Sequence, residues 1–406
     1  MRLTTTKPAR IANRRTIGWF ALCLGTPITF LLAGIGNAQL LGTGVNLAGA
    51  EFQVQTWGID NVPGTYNVDY IYPTSAEIDY YLGKGVKLFR LPFAWERLQP
   101  TLSASLDPTE LGRLNTVVNY ATSRGADVIL DPHNYARWSP SPHTYSNNVV
   151  GTNVPEAAFA DLWSRLATEY KGNSRVVFGL MNEPHDMDTA VWRSAANAAI
   201  SAIRSAGATN LVTVPGNNYT GAWSWSESIN GHASNAVEML KIVDPGNHYV
   251  FEVHQYLDSD SSGTGATIVS PTIGQERLVD FTNWLKANNR KGFLGEFAVA
   301  NSMIGNEPGQ IGDEAITNML NYMEANSDVW VGWTWWAGGP WWGNYIFTIE
   351  PTNLGTGNQA DQASMTLLEP RFSAAPGLTL PEPSPSALAF VGIACGGWEL
   401  WRRRRS

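Results

Sequence analysis

Short, dense apolar runs recur along this chain, separated by longer segments in which apolar residues return every three or four positions. The runs fall at about residues 43–50, 86–92, 127–132, 176–182, 211–216, 249–254, 291–296 and 329–334. None alternates cleanly, which is the pattern of strands buried on both faces. The segments between them read as amphipathic helices. Asp107-Pro108-Thr109-Glu110 supplies an N-cap, a proline at the first helical position and an acid at the third. Leu111, Leu114, Val118 and Ala121 then share one face until Gly125. Asn153-Val154-Pro155-Glu156 repeats that device ahead of Phe159, Leu162, Leu166 and Tyr170, with Gly172 as the stop. Further helices fit 74–84, 188–206, 275–289 and 313–327, and the Ser/Gly/Thr cluster from Ser259 to Ala266 reads as a flexible loop. Eight strands alternating with helices predict a parallel sheet, and right-handed crossovers favour its closure into a (β/α)8 barrel. An open doubly wound sheet is the alternative. It is disfavoured because no glycine-rich phosphate loop follows the first strand.

In such a barrel the chemistry sits where strands give way to loops. Those positions in order offer Arg90 for the second strand, His133 and Asn134 for the third, and Asn182 and Glu183 for the fourth. His254 with Tyr256 follow the sixth, Glu296 ends the seventh, and Trp333, Trp335 and Trp336 end the eighth. Taken singly, each has a plain structural reading: a loop-capping glutamate, an ion-pairing arginine, a satisfied core histidine. Their convergence at nearly every strand end argues for a site. Two glutamates delivered from two strands suit glycoside hydrolysis, in which one moves protons and the other attacks the sugar. The fourth and seventh strands face each other across the mouth of an eight-membered ring, a placement that suits the retaining separation of about 5–5.5 Å. His185, beside Glu183, is read as supporting rather than reactive. No Gly-x-Ser-x-Gly elbow suggests a serine hydrolase, and no His-x-x-x-His helix or cysteine cluster supplies a zinc site, so neither metal nor organic cofactor is expected.

Composition narrows the partners. Between residues 39 and 380 there are 18 basic and 33 acidic residues, a net charge of −15, which argues against nucleic acid or anionic lipid. A neutral polymer fits better, and 17 tryptophans exceed what the core needs, so some should stack on sugar faces in a cleft. Residues 1–38 carry five basic and no acidic residues, then an apolar run and the small-residue site Gly36-Asn37-Ala38, the pattern of a cleaved secretory signal. Both cysteines, Cys23 and Cys395, lie in the terminal segments, leaving the body of the chain without a disulfide. A monomer is expected.

At this point the chain resembles glycoside hydrolase family 5, and within it the β-1,4-endoglucanases. The resemblance spans about residues 42–372. It is carried by Gly44-Val45-Asn46-Leu47-Ala48-Gly49, Phe89-Arg90-Leu91-Pro92, Asp131-Pro132-His133-Asn134-Tyr135-Ala136-Arg137-Trp138, Asn182-Glu183-Pro184-His185, Val253-His254-Gln255-Tyr256-Leu257-Asp258, Gly295-Glu296 and Gly332-Trp333 onward. The resemblance implies a single (β/α)8 domain over 39–375, with Glu183 as acid/base and Glu296 as nucleophile. It further implies that Arg90 holds Glu296 ionised and that Asn182 bonds the sugar 2-hydroxyl. His254 and Tyr256 would orient the two carboxylates, and His133 would line the subsite before the scissile bond. Trp336 is the first candidate for the sugar platform and Trp333 the second. The implied substrate is a β-1,4-glucan; mannan, xyloglucan and mixed-linkage glucan satisfy the same physics, and a barrel that only binds polysaccharide is the alternative of a different class. Residues 376–406, with Pro381-Glu382-Pro383, a short apolar stretch and Arg402 to Arg405, resemble the PEP-CTERM sorting signals of Gram-negative bacteria. They imply export to the cell surface or medium and only transient membrane contact. A plain tail anchor is the alternative.

Overall fold

In the computed structural model the described residues are 41–52, 63–139 and 147–374. The expected terminal signals, 1–38 and 376–406, therefore lie outside them. Eight strands form a closed barrel in sequence order, each parallel to its neighbours: β1 (Gly42–Leu47), β2 (Leu88–Phe93), β3 (Asp127–Pro132), β4 (Val176–Gly179), β5 (Val212–Pro215), β6 (Tyr249–His254), β7 (Gly292–Glu296) and β8 (Trp330–Gly338). The ring closes where Thr43 pairs with Trp333 and Val45 with Trp335. The open sheet is thereby excluded.

The helices are α1 (Ser75–Gly83), α2 (Trp95–Leu98), α3 (Pro108–Ser123), α4 (Glu156–Tyr170), α5 (Thr189–Ser205), α6 (Asn235–Glu238), α7 (Ile273–Ala287), α8 (Gly312–Ala325) and α9 (Ala363–Ala374). In α3 the expected cap forms: Asp107 Oδ1 accepts from Glu110 N at 2.8 Å, with Pro108 in the first turn. Such a cap is worth about 1 kcal/mol. The same device does not form at α4. Pro155 itself occupies the cap position and no side chain closes the first turn, so Asn153 is not the cap. None of these helices is long and apolar enough to cross a membrane.

Two apolar layers hold the barrel. Leu41, Leu88, Ile129, Val177, Leu211, Val250, Phe293 and Val331, one from the start of each strand or just before it, fill the interior as a plug. A larger cluster packs outward-facing strand residues against the helices. Further along the strands the interior changes character. Asn46, Arg90, Asp131, Thr213, Glu252 and Glu296 are all buried there, and a polar layer of this kind is stable only if every group is paired.

Candidate active site

Arg90 is the hub of that layer. It lies within β2 rather than at its end and is 1% exposed, deeper than the sequence suggested. Its Nε donates to Glu252 Oε1 at 3.0 Å and its Nη2 to Asn182 Oδ1 at 2.9 Å. Its Nη1 meets Glu296 Oε1 and Asn46 Oδ1 at 2.9 Å and Asp131 Oδ2 at 3.0 Å. A buried guanidinium is tolerable only with such compensation, because losing one partner strands the others. Glu252 fits beneath the site because the strand beside it carries Gly295, where a Cβ would stand 2.4 Å from Glu252 Oε1.

The two glutamates meet over this hub. Glu183, just past β4, adopts φ 39°, a left-handed conformation that non-glycine residues hold only when their surroundings impose it. Its Oε1 contacts His254 Nδ1 at 2.7 Å, and one oxygen from each of Glu183 and Glu296 lies within 4.8 Å of the other. Glu296, the last residue of β7, accepts from the Tyr256 hydroxyl at 2.9 Å through Oε2.

Their protonation tendencies diverge. Burial pushes Glu183 up, with the charge of Glu296 adding to it and the His254 contact opposing it. Burial would raise Glu296 too, but the positive charges of His254 and Arg90 and the Tyr256 hydroxyl bring it below the ordinary range. His254 itself loses by burial, yet carboxylates face both its ring nitrogens, Glu183 and Glu296 at Nδ1 and Glu252 at Nε2, and its pKa rises to about 10. Glu252 is pulled down to about 2 against the cost of burial by Arg90 and His254. Two cations, Arg90 and His254, thus already face three carboxylates, Asp131, Glu252 and Glu296, so a further negative charge on Glu183 is disfavoured. Of the two glutamates, Glu183 is the one pushed toward holding its proton.

His133, just past β3, completes the floor. Its Nδ1 lies 2.8 Å from Asp131 Oδ2 and its Nε2 3.0 Å from Asn182 Nδ2. Burial lowers and Asp131 raises its pKa, with a net upward push. Protonation would nonetheless set Nε2–H against the Asn182 amide, whose orientation Arg90 fixes. Hydrogen bonding therefore favours the neutral ring with its proton on Nδ1. Trp336 stacks on this imidazole, with ring centroids 5.2 Å apart and an interplanar angle of 19°, and its Nε1 donates to the Tyr345 hydroxyl at 3.1 Å. Trp333 behaves otherwise. It is 5% exposed and packs between Phe297 and Phe372 of α9, in the layer between barrel and helices, so it is not available as a sugar platform. His185 pairs with Asp186 and stacks on Tyr219, while burial and Arg137 lower its pKa to about 4.

Sequence reasoning brought together Arg90, His133, Asn182, Glu183, His254, Tyr256, Glu296 and Trp336, but gave no role to Asn46, Asp131 or Glu252. Glu252 carried a signal: a lone acid inside the apolar run from Tyr249 to Val253. Among the described residues, Glu183, His254 and Glu296 are the group whose donor atoms converge as a metal site would require. His254, with carboxylates at both nitrogens, is pushed toward its doubly protonated form, in which the ring offers no lone pair.

Comparison with known proteins agrees with this geometry. The profile of the cellulase family, glycosyl hydrolase family 5, matches residues 42–339. The chain is 42% identical over 309 residues to endo-β-1,4-glucanase B of Aspergillus niger, covering 76% of this chain and 84% of the relative. It is 40% identical over 331 residues to endo-β-1,4-glucanase A of Emericella nidulans, covering 81% and 91%. Among solved structures, an endo-β-1,4-glucanase of Xanthomonas axonopodis pv. citri superposes with a TM-score of 0.74 at 45% identity over 82% of this chain and 98% of that one. The Pseudomonas stutzeri endoglucanase Cel5A in complex with cellobiose gives 0.70 at 32% identity over 85% and 95%.

Proposed function

The chain belongs to the cellulase family, glycosyl hydrolase family 5, and we propose that it hydrolyses internal β-1,4-glucosidic bonds of a β-glucan with retention of anomeric configuration. The observation that carries this reading is the pair of carboxyl oxygens within 4.8 Å, one group pushed up by burial and the other held down by cations. That spacing leaves no room for a water between acid and base, as inversion would need, and matches a direct nucleophile. Glu296 attacks the anomeric carbon while Glu183 protonates the departing oxygen. The resulting ester removes the negative charge of Glu296, the pKa of Glu183 falls, and Glu183 then takes a proton from the incoming water. Asn182 offers an amide hydrogen to the sugar 2-hydroxyl, and Trp336, braced on His133, gives the sugar an apolar face.

Glucan is favoured as substrate because relatives over most of this chain are endo-β-1,4-glucanases and one was crystallised with cellopentaose. Rates on carboxymethylcellulose, mannan and mixed-linkage glucan compare the options; preference for mannan would overturn the assignment. Retention is tested by proton NMR of cellopentaose cleavage, where the β-anomer should appear first and mutarotate afterwards. First appearance of the α-anomer would overturn the mechanism. Export of the domain from residue 39 onward, with a sorted or anchored C-terminus, remains part of the proposal on the strength of the terminal sequence patterns. N-terminal sequencing of exported protein should begin at Gln39; retention of residues 1–38 would refute cleavage.

A further inference from the structure

The segment from Ser259 to Ala266, whose composition suggested a flexible loop, is closed by the carboxylate of Asp258 just before it. Asp258 Oδ2 accepts from Ser262 Oγ at 3.0 Å, Thr264 N at 3.3 Å and Gly265 N at 3.4 Å, and Oδ1 accepts from Gly263 N at 3.2 Å. Two side chains clamp the buckle from outside. Arg277 of α7 donates through Nη1 to the carbonyls of Tyr256 and Asp258 at 2.8 and 2.7 Å, and through Nη2 to that of Ser259 at 3.2 Å. Gln255 donates to Tyr256 O at 2.8 Å and Ser261 Oγ at 3.1 Å, while its own oxygen accepts from Trp223 N at 3.0 Å.

This buckle lays Gly263 flat against the Tyr256 ring. A Cβ at position 263 would stand 2.7 Å from Cγ, Cδ1 and Cδ2 of the ring, and the backbone there holds φ +68°, where glycine is favoured. Phe347 stacks with the same ring, centroids 6.0 Å apart at 23°. The ring is not a flexible tip that can step aside, because its hydroxyl is bonded to Glu296.

We propose that the Asp258–Gly265 strap is a positioning element for the nucleophile: Gly263 seats the Tyr256 ring and Asp258 holds Gly263 in place, so that the hydroxyl stays on Glu296 Oε2. The proposal rests on the retaining reading of Glu296. The strap contributes no group to substrate; it acts through Tyr256 alone. Glu296 is also contacted by Arg90 from β2 and His254 on β6 and interacts with His133 past β3, Glu183 past β4 and Tyr345 past β8, while Asp131 and Glu252 share its Arg90. None of these touches the strap through the hydrogen bonds described, so loosening the strap should remove only the tyrosine's share of the stabilisation of the Glu296 carboxylate.

The test is a double-mutant cycle on the full chain with Gly263→Ala and Tyr256→Phe, read by kcat, KM, the pH profile of kcat/KM and Tm. A hydrogen bond to a charged acceptor predicts a fall in kcat on the order of tenfold for Gly263→Ala, with KM little changed. The acid limb should move to higher pH, because Glu296 loses a donor that favours its ionised form. In the Tyr256→Phe background Gly263→Ala should cost little more, since no hydroxyl remains to be displaced. Asp258→Asn, which keeps an acceptor but loses the charge, should move the same limb in the same direction by less. It also serves should Gly263→Ala fail to fold. Equal losses in both backgrounds, or an unmoved acid limb in both strap variants, would overturn the proposal. Failure of the wild-type enzyme to retain configuration would instead overturn the reading beneath it.

Discussion

Replacing Arg90 by methionine removes the charge at the centre of the site while keeping much of its length. The guanidinium is buried and in contact with Asp131, Glu252 and Glu296 at 2.9–3.0 Å. With charge centres about 4 Å apart and an effective dielectric constant near 20, the Arg90–Glu296 attraction is worth about 4 kcal/mol. Relaxation and water entry leave roughly 3 kcal/mol of it, on the order of a hundredfold in an equilibrium constant. In the proposed mechanism the ionised form of Glu296 attacks, so a raised pKa moves the acid limb of kcat/KM upward. Activity on that limb is proportional to the ionised fraction, which gives a loss on the order of a hundredfold at mildly acidic pH. Removing one member of a buried ionic cluster also destabilises by about 3–5 kcal/mol, so Tm is measured alongside and activity is compared below the new transition. Arg90→Lys restores charge without the fork and should move the limb less. The assay is the pH dependence of kcat/KM on a cello-oligosaccharide with a chromogenic leaving group. A folded Arg90→Met enzyme with an unmoved acid limb would refute the assignment of Arg90 as the group that keeps Glu296 ionised.

The pKa of His254, raised to about 10, gives stability that is fully present below the ordinary histidine value of about 6.5 and is lost as pH climbs through 10. Thermal unfolding should therefore show Tm declining between about pH 6.5 and 10, and His254→Gln should flatten that slope; an equal slope in both would contradict the charged ring. Trp336→Ala should lower kcat/KM on cello-oligosaccharides by about 10- to 100-fold with little change in Tm, since its ring faces the site. Trp333→Ala should do the opposite, costing about 3–5 kcal/mol by urea denaturation while the folded enzyme keeps its kcat. Exchange of these two behaviours would put the platform on the wrong indole.

Much of this barrel is legible in the sequence because its strands are buried on both faces, which turns each into a dense apolar run with a polar stop. Lys87-Leu88-Phe89-Arg90 and Phe178-Gly179-Leu180-Met181-Asn182-Glu183 announce both a strand and what it delivers. The helices α2 and α6, four residues each, are too short to show periodicity, and α9 is obscured by Pro370 within it. Strand β8 runs on to Gly338, past the expected end at 334, because it continues to pair with β1 as far as Leu47. Within the site, residues at strand ends stand out, whereas Asn46, Asp131 and Glu252 hide among apolar neighbours along their strands. Their roles depend on which way the barrel turns each side chain, and only closure of the ring brings them onto Arg90. The same limit applies to Trp333, which cannot be told from Trp336 without the register of β8, and to the Asp258 strap, whose serines and glycines read as slack until their hydrogen bonds are seen.

The roles of the two glutamates are separated most directly by azide rescue with an activated β-glucoside substrate. With Glu296→Ala, azide should restore turnover and yield the α-glycosyl azide, because it enters from the side the nucleophile has vacated. With Glu183→Ala it should yield the β-glycosyl azide, having displaced an enzyme ester already formed on Glu296. Exchanged products would reverse the assignment, and β-azide from both variants would place the nucleophile somewhere other than Glu296.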